Sequence, residues 1–177
     1  MLQFLLLVAH EDELFHSLLF GKRREPEEGR SYIVKERKPD GAMSHFVKML
    51  GRGYSGLVIS RQHPDNVHRK YKLDGVRLVW LSTTLGQDYI DPHNLSSITN
   101  LAGVFLNGNG KSIVLLDGIE YLTVHNDFGR VLKFMEYLNE LVMQRQAILL
   151  ISLDDRAFEP RQIALLERNA TVLDAMS

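Results

Sequence analysis

The 177-residue chain contains no cysteine, which excludes disulfides, thiolate metal sites and cysteine nucleophiles. It also lacks an excess of either charge: 21 Lys and Arg stand against 22 Asp and Glu, a net charge of −1. No global field therefore draws it onto nucleic acid or an anionic membrane, and a nucleic-acid role would need a local basic patch. The best local run, Lys22-Arg23-Arg24, is answered by Glu25, Glu27 and Glu28, so it reads as a solvated linker and no nucleic-acid partner is expected. There is no internal repeat or low-complexity tract. Also missing are a G-x-S-x-G elbow, an H-E-x-x-H pair and a complete phosphate-binding loop. The apolar start, MLQFLLLVA, has about half the length needed to cross a bilayer and breaks at His10-Glu11-Asp12-Glu13. It has neither the basic lead nor the small-residue cleavage site of a signal peptide. No transmembrane segment and a cytoplasmic location are the expectations.

What is present is enough apolar residue, 45% of the chain, for one buried core. After Glu11 the apolar positions Leu14, Phe15, Leu18 and Leu19 form a helical stripe, with Gly21 as a stop. Residues 1–30 are therefore expected to form an apolar helical arm and a charged linker, ahead of a single domain over 31–177. Two readings of the arm stand. It packs on its own subunit, or it is a homo-oligomer or protein-partner interface through Leu6, Leu14, Phe15, Leu18 and Leu19. Pro26 and Gly29 in the linker would let it stand away.

From Ser31 the chain alternates. Tyr32 to Val34, Gly56 to Ser60, Val76 to Leu81, Ile113 to Leu116, Ala147 to Leu153 and Thr171 to Leu173 read as strands. Helices are expected around His45 to Leu50, Asn66 to Tyr71, from Asp91-Pro92 to about Leu106, after Asn126 or Asp127, and over Pro160 to Glu167. Continuous apolar runs alternating with helices imply a three-layer α/β fold, recombinase- or Rossmann-like, with a mainly parallel sheet covered on both faces. In such a sheet ligands bind outside the carboxyl ends of the strands. That rule selects Ser60, Arg61 and His63, then Ser82, Thr83 and Thr84, then Asp117 and Glu120, and finally Asp154, Asp155 and Arg156. From these, Arg61, His63, Ser82, Thr83, Asp117, Glu120 and Asp154 are the candidate ligand-binding residues. Each has a plainer reading: His63 as a surface histidine, Glu120 as part of a loop, and Asp154 with its neighbours as a solvated turn. Trp80, mid-strand, reads as core.

One stretch invites a nucleotide reading. Residues 108–117 are GNGKSIVLLD, a phosphate-loop ending fused to an acidic strand. A phosphate loop needs G-x-x-x-x-G-K-[ST], so that successive backbone N–H groups wrap the anion at the start of a helix. Counting back from Gly110-Lys111-Ser112, the first glycine falls on Phe105, and the segment precedes a strand. GNGKS therefore reads as a helix-to-strand turn. SIVLLD places Asp117 at the carboxyl end of a central strand, where an acid can hold a magnesium-bound water. On spacing alone Asp117 reads as a turn cap, with Gly118 suited to the turn.

GLVISRQHP (56–64), VWLS (79–82), VLLDGIEYL (114–122), Asn126, Phe128 and the ILLISLDD-RAF stretch resemble an archaeal domain-of-unknown-function family, DUF eight-three-five, over about Ser31 to Leu173. Its LLDGxEYLxxxNxF signature is long. The resemblance implies a recombinase-type ATPase fold without the phosphate loop, found alone or joined to signalling modules, with Asp117 at the place of the magnesium-binding acid. This chain departs by having Gly118 next, Arg61 after the neighbouring strand and no loop lysine. Phosphoryl transfer depends on the amides, lysine and magnesium that such a loop assembles, so hydrolysis is not expected, and neither is a cofactor. The leading expectation is a non-catalytic regulatory or protein-interaction module on a degenerate ATPase-like scaffold. The alternative is a binder or enzyme for a phosphorylated small molecule, with Arg61 on the anion and Asp117 on magnesium.

Overall fold

In the computed structural model the described residues are 25–175. The N-terminal interface residues Leu6, Leu14, Phe15, Leu18 and Leu19 lie outside them. Seven strands form one sheet: β1 (Arg30–Lys35), β2 (Ser55–Ser60), β3 (Arg77–Leu81), β4 (Tyr89–Ile90), β5 (Ser112–Asp117), β6 (Ile148–Leu153) and β7 (Thr171–Leu173). Their order is β4-β3-β2-β5-β6-β1-β7, and every pairing is parallel. Six helices connect them: α1 (Asp40–Leu50), α2 (Pro64–Tyr71), α3 (Leu95–Gly108), α4 (Ile119–His125), α5 (Phe128–Gln144) and α6 (Pro160–Leu166).

The central strands β5 and β6 are buried at every position, which is why their sequences show apolar runs without alternation. Side chains still alternate between the two sheet faces. Ile113 and Leu115 join Met43, Phe46 and Val67 of α1 and α2 in one core layer. Val114 and Leu116 join Ile98, Leu122, Val131, Leu138 and Leu166 of α3 to α6 in the other. The fold is thus three-layered α/β, with helices on both faces.

Local chemistry shifts several boundaries from those expected. Helix α3 starts three residues after Pro92, because Asn94 is its cap and accepts from the Ser97 N–H at 3.0 Å. Asp127, rather than Asn126, caps α5 through the Arg130 N–H at 2.9 Å. The stretch read as a charged, solvated linker is fastened from Glu25 onward. The Glu25 carboxylate holds Arg52 at 2.8 and 3.0 Å and Lys48 at 2.7 Å, and these partners pull its pKa down to about 2. Gly29 N–H donates to Ala147 O at 2.7 Å, extending the β1 to β6 register backwards.

Candidate functional site

The chain leaves β2 toward β3 over the α1/α2 face and leaves β5 toward β6 over the opposite face. β2 and β5 are neighbours in the sheet, so the connections diverge at their carboxyl ends and open a crevice there. In the register of this pair the last partners are Ser60 and Asp117. The crevice has a volume of about 750 Å³ and is lined by residues that include Lys38, Arg61, Gln62, Lys70, Trp80, Ser82 and Tyr121. It lies within the size range of small-molecule sites, roughly 300–1,000 Å³.

Asp117 is 2% exposed, and one oxygen of its carboxylate takes two hydrogen bonds while the other faces a guanidinium. Ser60 Oγ donates to Oδ2 at 2.7 Å, Gln62 Nε2 donates to the same oxygen at 3.1 Å, and Arg61 Nε stands 3.6 Å from Oδ1. The Asp117 carbonyl accepts from the Arg61 N–H at 3.1 Å. A buried carboxylate needs such donors, and here they come from the last residue of β2 and the loop after it. Gly118, with φ +127°, takes a backbone conformation that suits glycine. A Cβ added there would come within 3.3 Å of Arg61 Cβ, so the bare backbone also lets the Arg61 side chain lie across the turn. The Arg61 side chain, 41% exposed, is paired with Asp117 and lines the crevice.

Arg61 and Ser82 line the crevice and Asp117 lies directly behind it. The other sequence candidates turn elsewhere. His63 caps α2, accepting from the Asp65 N–H through Nδ1 at 3.2 Å. As an acceptor Nδ1 carries no proton, so the Asp65 carboxylate 3.6 Å away is not an ion-pair partner in that state. Thr83 is exposed in the loop beyond Ser82. Glu120 accepts from the Asp154 N–H, tying the ends of β5 and β6, while its other oxygen is buried without a partner. Burial pushes the Glu120 pKa up, against the opposing pull of that amide. Asp154 is paired with Arg156 and accepts from the Arg156 N–H at 3.2 Å.

Five of the lining residues named above, Gln62 among them, were not selected from the sequence. Lys38 follows β1, and the carboxyl-end rule applied to that first strand finds it. Lys70 and Tyr121 are brought in by helices α2 and α4, which spacing alone does not orient. Trp80, read as core, is only partly buried. Its Nε1–H donates to Arg61 O at 3.1 Å, and its indole is wedged edge-to-face between His63 and Tyr89, with centroids 4.8 and 4.9 Å away.

Magnesium is not suited to this geometry. Asp117 Oδ2 is committed to Ser60 and Gln62, Oδ1 faces the Arg61 guanidinium, and Glu120 accepts from the Asp154 amide, so no second carboxylate joins Asp117 as a ligand. Among the described residues no group of three or more His, Asp or Glu is placed to hold a metal ion.

The anion-binding position at the start of the first helix is also taken. A phosphate loop follows a strand and opens a helix, as residues 36–39 do between β1 and α1. The carboxylate of Glu36 fills that place, with Gly41 N–H donating to Oε2 at 2.7 Å and Ala42 N–H to Oε1 at 3.0 Å. Gly41 permits this approach, since a Cβ there would stand 2.9 Å from Glu36 Oε2. The GNGKS segment, in contrast, spans the end of α3 and the start of β5, at the amino edge of the sheet, away from the crevice.

Burial pushes the Glu36 pKa up, and the two amides, with Ser152, oppose it without cancelling it. With the folded value above the unfolded one, the unfolded chain releases its proton first as pH rises. Stability from this group is therefore full below the unfolded pKa and falls until the raised folded pKa is passed. Glu36→Gln, which cannot titrate, is less stable than the parent at about pH 4 because its amide serves only one of the two N–H groups, and the gap narrows toward about pH 7. Urea unfolding across this range measures the gap, and a gap widening with pH would show the anion to be a net stabiliser of α1.

The family described as protein of unknown function (DUF835) matches residues 35–169. The chain belongs to this family. No match is found among curated proteins. A solved structure from Pyrococcus horikoshii OT3, described as a structural study of Project ID PH0250, is similar over 91% of this chain and 88% of that one, with a TM-score of 0.58 and 12% identity. At that identity the likeness concerns the fold, and with 150 matching chains the architecture is a widely shared one that carries no single function. Within this DUF835 chain the LLDGxEYLxxxNxF residues have distinct physical tasks. Asp117 gathers the β2 loop, Gly118 makes the turn, Glu120 ties in β6, Tyr121 lines the crevice and Leu122 is core. Asn126 bridges two segments through Nδ2–H bonds to Pro92 O at 2.9 Å and Leu122 O at 3.0 Å. Phe128 packs beside Phe158 with centroids 6.4 Å apart. No helix among the described residues is long and apolar enough to cross a membrane.

Proposed function

We propose that this domain is a non-catalytic regulatory or protein-interaction module, built on an ATPase-like scaffold that has lost phosphoryl transfer. The observation that carries this reading is the self-occupancy of both places where such chemistry acts. Glu36 takes the amides at the start of α1, and Ser60, Gln62 and Arg61 take the Asp117 carboxylate. Phosphoryl transfer works by positioned charge neutralisation, and an anionic side chain in the phosphate position opposes it. The partner surface in this reading is the apolar N-terminal stripe with Leu14, Phe15, Leu18 and Leu19, and the setting is cytoplasmic signalling.

Phosphate release from ATP with magnesium is expected to stay at the uncatalysed rate. Light scattering of the full chain and of a chain without residues 1–24 tests the interaction half. The full chain is expected to be heavier than one protomer, and the truncated one monomeric. Magnesium-dependent turnover abolished by Asp117→Asn would overturn the catalytic half, and a monomeric full chain would remove the self-association half.

A further inference from the structure

The crevice at the β2/β5 divergence has a charge pattern that nothing in the preceding reading uses. Lys38, Arg61 and Lys70 line it from three different elements. Asp40 answers Lys70 and Asp117 answers Arg61, on which Glu120 also acts, while the Lys38 ammonium has no ion-pair partner among the described residues. Lys38 is exposed, and it acts by charge on Asp40, which Lys70 and Tyr71 already occupy. The Arg61 guanidinium is held by a carboxylate on one side while the rest of its donor fork is open to the crevice. Beside these charges stand two aromatic side chains, Trp80 and Tyr121. Trp80 is fixed in place before any ligand arrives by its bond to Arg61 O and by His63 and Tyr89.

We propose that this crevice binds a small phosphate monoester carrying a planar ring, of nucleoside-monophosphate size, without a metal ion. Arg61 and Lys38 take the phosphate, since a guanidinium fork and an ammonium replace magnesium as counter-charges. Trp80 and Tyr121 offer the apolar surface for the ring. Asp117 acts as a positioning residue, holding the guanidinium through Nε so that its terminal nitrogens face outward. A triphosphate with magnesium is the wrong ligand for the site, because the metal would meet three cations and no free carboxylate pair. The inference rests on the non-catalytic reading in one respect: Asp117 is an anchor for Arg61, not a metal ligand.

The test is isothermal titration of the full chain with adenosine monophosphate in chelator and again in magnesium, with the recovered ligand checked by phosphorus NMR. Binding in chelator, unchanged by magnesium, is expected. Arg61→Met and Lys38→Met should each weaken it about tenfold or more, while Lys133→Met on the outside of α5 leaves it unchanged. The Lys38 ammonium makes no hydrogen bond or ion pair among the described residues, so its variant keeps the test decisive even if Arg61→Met folds poorly. Inorganic phosphate should compete more weakly than the monophosphate, because it leaves the ring surface uncovered. Absence of binding in chelator, or binding indifferent to Lys38→Met, overturns the proposal and leaves the non-catalytic reading intact. Binding with conversion of the ligand keeps the site and instead overturns the non-catalytic reading.

Discussion

Asp117→Ala unfolds about 3 kcal/mol more easily than the parent chain. The carboxylate is 2% exposed and collects the Ser60 hydroxyl, the Gln62 amide and the Arg61 guanidinium. Truncation leaves Ser60, itself 4% exposed, without its acceptor and removes the side-chain ties of the loop after β2 to the end of β5, keeping the Arg61 N–H to Asp117 O bond. Each hydrogen bond to a charged group contributes roughly 1.5–3 kcal/mol. The half-exposed Arg61 contact adds little, since solvent screens it. Asp117→Asn keeps the shape and one oxygen for Ser60, so its loss should be about 1 kcal/mol. Urea denaturation of both variants in the absence of any ligand reads the difference directly. An alanine variant within about 0.5 kcal/mol of the parent would mean that Asp117 does not organise the site, and the anchoring role would have to be abandoned.

Phe46→Ala should lower stability by about 3–5 kcal/mol. Phe46 is fully buried on α1 and its ring rests on the bare backbone of Gly56 in β2, where an added Cβ would lie 2.6 Å from Cζ. Removing the ring opens a cavity that no side chain of Gly56 can fill, although Met43 and Met49 beside it are flexible enough to recover part of the loss. The pairing makes a second, sharper expectation. Gly56→Ala alone is destabilising because the ring cannot retreat, typically by about 1–3 kcal/mol. In the Phe46→Ala background the same change meets open space and the flexible Leu50 side chain. The two losses should therefore fall well short of adding in chemical denaturation. Additive losses would mean that the ring and the glycine are not in contact.

The layers of the fold were legible because β2, β5 and β6 are written as unbroken apolar runs, and such runs between helical stretches leave little besides a covered parallel sheet. β4 was not legible, since two residues, Tyr89 and Ile90, carry no period. Helix α4 was hidden for a different reason: IEYLTVH is short, has no side-chain cap, and includes three β-branched residues that favour helix weakly. The crevice was half legible. The carboxyl-end rule gives backbone position, so it reached Arg61, Ser82 and Asp117, and it would have reached Lys38. It says nothing about direction. Glu120 and Asp154 stand at the right ends of their strands, yet one turns to a backbone amide and the other to Arg156. Trp80 was misjudged because a mid-strand position in an outer strand is covered on one side only.

The strand order also governs how the molecule can be made. β1 is the first strand synthesised among the described residues, but its two neighbours are β6 and β7, the last two, with Arg30 meeting Ile148 and Tyr32 meeting Thr171. At roughly 5–20 residues per second it waits on the order of ten seconds on the ribosome with both hydrogen-bonding edges unmatched. The β2 to β5 segment can pair meanwhile, so β1 must be inserted late, between strands that have only just emerged. Pairings this distant in sequence slow folding, and an apolar strand left open for so long is a natural client for a chaperone.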